Sequence, residues 1–217
     1  MNANDDLQKK VQFALFWEPY ITGAAIGVTA HEGIVTLSGT VARYDMKLDI
    51  EQIVKKVRGV KAVVMHINVH DHPQAADEDS LAQQALQALE LHTSIPPEHI
   101  KIVVANGWIY LVGSVDWQYQ KQAAEKAVSR IIGVKGVVNS LLIHSDRTDM
   151  LEKKALYDAF DRSSILRGKT IDVGVHQNEV TLTGVVDSLF QKEEAERIAW
   201  NAPGIWRIHN QLEIIHT

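Results

Sequence analysis

With 217 residues, 46% hydrophobic and 23% charged, and only five prolines, the chain has apolar surface enough for packed cores and no disordered bulk. The net charge of −5 argues against nucleic acid as a partner: residues 1–72 carry eight acids and eight bases, 73–145 seven and five, 146–217 twelve and nine, so no part has the basic excess that phosphate neutralisation demands. The absence of cysteine excludes disulfides and thiolate zinc sites. No run approaches the roughly eighteen apolar residues of a membrane span, and Met1 to Asp6 has neither basic flank nor apolar signal core. As written the chain is expected to be cytoplasmic, or periplasmic if an export signal was removed.

The first predicted element is a helix containing Ala14-Leu15. Ile26/Val28/Ala30 then alternate with period two, Gly33 marks a turn, and Val35/Leu37 alternate again up to Gly39, which reads as a β-hairpin. Ile50, Ile53, Val54 and Val57 fall on one stripe of a second helix. Gly59 ends it, and Val63/Met65/Ile67/Val69 form a third strand.

The same order then returns twice. Ala88-Leu89 open a second copy, with Ile100/Ile102/Val104, Gly107, Ile109/Leu111, Gly113, the stripe Ala124/Ala127/Val128/Ile131, Gly133 and Val137/Leu141/Ile143. The third has Ala159-Phe160, Ile171/Val173/Val175, Asn178, Val180/Leu182, Gly184, Ala195/Ile198/Ala199/Ala202, Gly204 and Ile208/Leu212/Ile214. The periods are 74 and 71 residues, with the anchors at fixed offsets in all three copies. The predicted fold is α+β: three tandem αββαβ modules over 1–72, 73–145 and 146–217, each a small three-stranded sheet with two helices on one face. The junctions at His72-Pro73 and Ser145-Asp146 are short and polar.

The motifs Gly33-Ile-Val-Thr-Leu-Ser-Gly39-Thr-Val41, Gly107 to Val115 and Asn178 to Val186, each followed about twenty residues later by Gly59, Gly133 or Gly204, resemble the BON domain of bacterial osmotic-stress and envelope proteins. The resemblance covers nearly the whole chain. Module two, with Gly133-Val134 and Val137-Val138-Asn139-Ser-Leu141, matches best, module one places Met65 where the Asn stands, and module three replaces the turn glycine with Asn178. The resemblance implies a non-enzymatic protein that attaches to phospholipid or an envelope-associated protein, in a stress-related scaffold or chaperone-like role, and it brings no catalytic residues. Self-association into a homo-oligomer through the sheet faces is the alternative.

The residues themselves suggest no catalysis, cofactor or metal. Nucleophile elbows, P-loops and His-Glu-x-x-His helices are missing. Gly107 and Gly113 stand six apart across a strand, so turn and close-packing roles explain the repeated glycines better than phosphate binding. His66, His70 and His72 share strand parity, but residues two apart on a strand sit roughly 6.8 Å apart, too far for three to share one ion. His31 and His176 occupy one repeat position and are expected to face solvent. Asp5-Asp6 and Glu193-Glu194 are read as helix starts, where the macrodipole favours acids.

Strand parity singles out one surface. On the sheet face turned away from the helices, module one carries Ile34, Thr36 and Ser38, and module three carries Glu179, Thr181 and Thr183. Module two carries Trp108, Tyr110 and Val112, joined by Val103, Val138 and Leu142. A contiguous apolar patch with two aromatics marks a contact surface, covered by a neighbouring module, another subunit or lipid.

Overall fold

The computed structural model describes residues 3–21, 25–70, 77–143, 153–176, 179–202, 205 and 207–215. Module one runs α1 (Ala3–Phe16), β1 (Gly27–His31), β2 (Ile34–Val41), α2 (Tyr44–Lys56) and β3 (Ala62–Val69). Module two runs α3 (Glu78–Glu90), β4 (Ile100–Ala105), β5 (Trp108–Val115), α4 (Gln118–Ser129) and β6 (Gly136–Ile143). Module three runs α5 (Lys153–Arg162), β7 (Ile171–His176), β8 (Glu179–Val186), α6 (Leu189–Trp200), β9 (Arg207–Asn210) and β10 (Glu213–Ile214). The sequence-expected boundaries at 72/73 and 145/146 lie outside the described residues.

Each sheet is a hairpin plus one strand, in the orders β1-β2-β3, β4-β5-β6 and β7-β8-β9, with β10 continuing beside β8. The hairpin strands pair antiparallel, and β6, β9 and β10 run parallel to their neighbours. A parallel partner needs a crossover, and the second helix of the module supplies it. Module three departs from the expected single last strand: its ladder leaves off at Leu182 opposite Asn210 and resumes at Val185 opposite Glu213. Between them Gln211 N still donates to Leu182 O at 2.8 Å.

The hairpins turn through two residues of positive φ, Glu32 (51°) with Gly33 (86°) and Asn106 (53°) with Gly107 (79°), the backbone that matches the twist of the flanking strands. The third turn, at Asn178, lies outside the described residues, as does Gly204. Gly59 and Gly133 follow α2 and α4 with φ of 97° and 94°. Gly39, Gly113 and Gly184 share a second requirement. Their φ values are 145°, 136° and 126°, and a Cβ would stand 2.4, 2.0 and 2.2 Å from the carbonyl oxygens of Ala25, His99 and Thr170. In every module the second strand therefore passes against the backbone that leads into the first, and a side chain there has no room.

The cores follow the predicted stripes. Ile109, Leu111, Ala124, Val128 and Leu141 are buried in module two, and Val173, Val180, Leu182, Ala195 and Leu212 in module three, with Leu81, Leu89, Leu156 and Phe160 of the opening helices packed on them. Val11, Val35, Leu37, Ile50, Val54 and Ile67 are buried in module one. Each of the Val, Leu, Ile and Phe side chains among them contributes roughly 1.5–3 kcal/mol. In modules two and three an asparagine also ties the last strand to the crossover helix. Asn139 Nδ2 donates to Lys121 O and to Glu125, Asn210 Nδ2 donates to Lys192 O and to Glu196, and both sets measure 2.8 and 3.1 Å. Module one has Met65 at that place, and the matching Glu51 pairs with Lys55 at 2.6 Å instead.

Packing divides the chain into two compact units, Met1–Gly39 with Ile50–His66 and Asp146–Thr217, and Thr40–Asp49 with Ile67–Ser145. Within the first unit α2 meets α6: Lys55 also pairs with Glu193 at 2.7 Å, Lys56 lies 5.2 Å from the Phe190 ring centroid, and Gly59 N donates to Asp187 O at 3.3 Å. Within the second, Tyr44 packs against the core of module two.

Candidate contact face on the middle module

The pleat of β4, β5 and β6 sends Ile109 and Leu111 to the core and turns the residues between them outward. The register arranges those outward residues in rows. Val103 stands opposite Tyr110, which stands opposite Val138; Ala105, Trp108 and Gly136 form the next row; Lys101, Val112 and Ser140 form the row on the other side, and Leu142 lies opposite Ser114. Trp108, Tyr110, Val112, Val103, Val138 and Leu142 thus share one face, and all are between 36 and 71% exposed. Gly136 is buried although it is on this outward face, because the indole of Trp108 lies over it. Lys101 is the one charged side chain among the outward positions of these strands.

Module three builds the same face from polar and charged side chains. In its corresponding rows Arg207 pairs with Glu179 at 3.1 Å, His209 Nε2 lies 3.5 Å from Glu179, and Tyr157 from the neighbouring helix donates to Asp172. That hydrogen bond, with those of Val173 N and the Lys153 charge, holds the Asp172 carboxyl below the usual aspartate value. The two sheets share their topology and differ in what their outer faces can meet: water and ions in module three, apolar matter in module two.

A second apolar surface escapes the strand-parity argument because it is on a helix. Leu7, Val11 and Leu15 bury one face of α1, while Phe13, Phe16 and Trp17 project from the other and Tyr20 follows, all 50–72% exposed. Trp17 meets both phenylalanines edge-on, at 5.7 and 6.0 Å between centroids. The signal was present in the repeat: the positions of Phe13, Phe16 and Trp17 hold Gln87, Glu90 and Leu91 in module two and Asp158, Asp161 and Arg162 in module three.

The remaining sequence candidates do not converge on a site. His31 and His176 are exposed, as expected. His66 and His70 are exposed, His72 lies outside the described residues, and no group of three or more His, Asp or Glu among the described residues is placed to hold a metal. Asp5 and Asp6 do stand in the first turn of α1. Glu193 and Glu194 do not begin a helix: α6 starts at Leu189, capped by the Ser188 hydroxyl, which accepts from Gln191 N. One turn further in, Glu193 takes Lys55, and Glu194 accepts two hydrogen bonds from Arg197 at 2.7 Å. Ion pairing, not the helix dipole, accounts for these two acids.

A family model described as BON domain matches the chain three times, over residues 3–71, 77–144 and 153–215. The chain is similar to osmotically-inducible protein Y of Escherichia coli, 29% identical over 147 residues that make up 64% of this chain and 73% of the relative. It is also similar to the outer membrane lipoprotein DolP of Haemophilus influenzae, 27% identical over 139 residues, 62% of this chain and 72% of the relative. No helix among the described residues is long and apolar enough to cross a membrane.

Proposed function

The chain belongs to the BON domain family, and on that premise we propose that it is a non-catalytic binding and scaffold protein of the bacterial cell envelope, acting in a stress-related role. The two relatives support the setting: one is named for osmotic induction and the other for the outer membrane. The observation that carries the reading is the outer face of β4, β5 and β6, where six exposed apolar side chains stand in register at positions that module three fills with Gly174, Glu179, Thr181, Thr183, His209 and Glu213. A patch of that composition holds an interface where scattered apolar residues do not.

The partner surface is a phospholipid membrane or an envelope-associated protein. The exposed aromatics of α1 favour the membrane as one of the two, since Trp, Tyr and Phe rings suit the boundary between headgroup and acyl chain. Such attachment is weak and not driven by global charge, because no module carries a basic excess and the short runs Lys9-Lys10, Lys55-Lys56 with Arg58 and Lys61, and Lys153-Lys154 are the only basic patches. Self-association through the sheet face is the second reading, favoured by the contiguous rows of exposed apolar side chains across β4, β5 and β6. Co-sedimentation with neutral and anionic vesicles, run beside light scattering of the chain alone, tests both. Pelleting with vesicles supports membrane attachment, concentration-dependent mass growth without pelleting supports self-assembly, and the absence of both refutes these two readings and leaves a protein partner for the face.

A further inference from the structure

We propose that the cleft between α5 and α6 in module three binds a single-chain anionic amphiphile, a long-chain carboxylate taken up as a monomer. This site is separate from the sheet face and goes beyond the function proposed above. The cleft measures about 630 Å³, with Leu156, Ala159, Ile165, Ile198 and Ala202 among its apolar walls. That volume falls within the roughly 300–1,000 Å³ of small-molecule sites.

The other modules show why space is left here. At the repeat offsets Ala202 corresponds to Ile131 and Val57, and Ala155 to Gln84 and Lys10. At Ala202 a half-buried side chain, Ile131 or Val57 in the other modules, ends at Cβ in module three, whereas Gln84 and Lys10 are exposed and turn back along their own helices to Ser80 and Asp6. An aliphatic tail laid along this open groove gains dispersion contacts with its apolar side.

The rim selects the head group. Arg162 closes α5 beside Ser163 and Ser164, is exposed, and makes no hydrogen bond or ion pair among the described residues. Leu91 and Trp17 hold its place in the other modules, so no requirement of the fold puts a guanidinium there. Arg197, the other cation of the cleft, is committed to both oxygens of Glu194, which is 9% exposed, and that pair is neutral as a unit. The cleft therefore offers one uncommitted positive charge next to hydroxyl groups, and a carboxylate can take both N–H donors of its fork. The partial negative charge at the C-terminal ends of α5 and α6 opposes an anion, but a carboxylate that hydrogen-bonds the full charge of a guanidinium outweighs a screened dipole. A bilayer surface cannot enter between two packed helices, which leaves the monomer as the occupant.

The test is calorimetric titration of the full chain with dodecanoate below its micelle concentration, and with dodecyltrimethylammonium as the cationic control. Saturable binding of one dodecanoate per chain is expected, with the cationic amphiphile at least tenfold weaker. Arg162→Leu, an exposed substitution to the residue module two carries, is expected to remove that preference, and Ala202→Ile to weaken both ligands at least tenfold. Trp108→Glu is expected to leave dodecanoate binding unchanged. No saturable binding by the parent chain, no effect of Arg162→Leu, or loss of binding in Trp108→Glu would each overturn the proposal, the last by moving the tail to the sheet face.

Discussion

The indole of Trp108 lies across Gly136 of the adjacent strand, so closely that a Cβ at the glycine would fall 2.3 Å from Cζ3 and 2.5 Å from Cε3. The missing side chain leaves room for the ring over the adjacent strand, and the ring in turn shields the backbone that the glycine leaves bare. Ala62 and Arg207 occupy the corresponding place in modules one and three, where no tryptophan needs the space.

Two glycine substitutions in module two should therefore differ in kind. Gly136→Ala meets the movable end of a side chain and an ordinary backbone angle, so the ring tilts away at a cost of about 1 kcal/mol, within the range of mild overpacking. Gly113→Ala meets the carbonyl oxygen of His99 at 2.0 Å with φ at 136°, and neither can yield without moving the hairpin. A loss of at least about 3 kcal/mol is expected there, and similarly at Gly39 and Gly184. Chemical denaturation of the two variants checks the order, and near-ultraviolet circular dichroism reports the moved indole in the first.

The asparagine ties predict an asymmetry among the modules. Asn139→Ala and Asn210→Ala each remove two hydrogen bonds between strand and helix, one of them to a carboxylate, and should cost about 1–3 kcal/mol. Met65→Ala removes packing but no such tie. Amide exchange of the last strand should accelerate in module two or three for the asparagine variants and stay unchanged for Met65→Ala in those modules.

Much of this was legible in the sequence because period two, helical stripes and glycines at fixed offsets report backbone demands that every copy must meet. The closing glycines show this best: Gly39, Gly113 and Gly184 stand where any side chain would strike a carbonyl. What remained hidden depends on neighbours distant in sequence. Glu193 answers to Lys55 of another module, and Glu194 to an arginine one turn along, so neither could be placed from helix position alone. The aromatics of α1 were hidden for another reason. An apolar residue on a helix reads as core by default, and only alignment of the three copies reveals that Phe13, Phe16 and Trp17 occupy solvent positions.

Lys55 provides a pH-dependent test of the link between α2 and α6. Burial works against its charge, but the hydrogen bonds and charges of Glu193 and Glu51 outweigh it and raise the ammonium above its ordinary value of 10.5. A raised basic group contributes stability in full below the unfolded value and loses it as the pH climbs through the folded one. Lys55→Met should thus destabilise by about 1–2 kcal/mol at neutral pH, the lower part of the range for charged hydrogen bonds because Glu193 is half-exposed. The difference from the parent should shrink above pH 10.5, as measured by denaturation at matched ionic strength.

Trp108→Glu tests the contact face most directly. Burying this side chain in an interface contributes roughly 1.5–3 kcal/mol, so replacing it with a charge should weaken association at least about tenfold. Light scattering and vesicle co-sedimentation of parent and variant, at matched concentration, are expected to show association lost in the variant while Ile109 and Leu111 still hold the module's core. A variant with the parent's oligomeric state, vesicle binding and stability would contradict the assignment of this face as the principal contact surface.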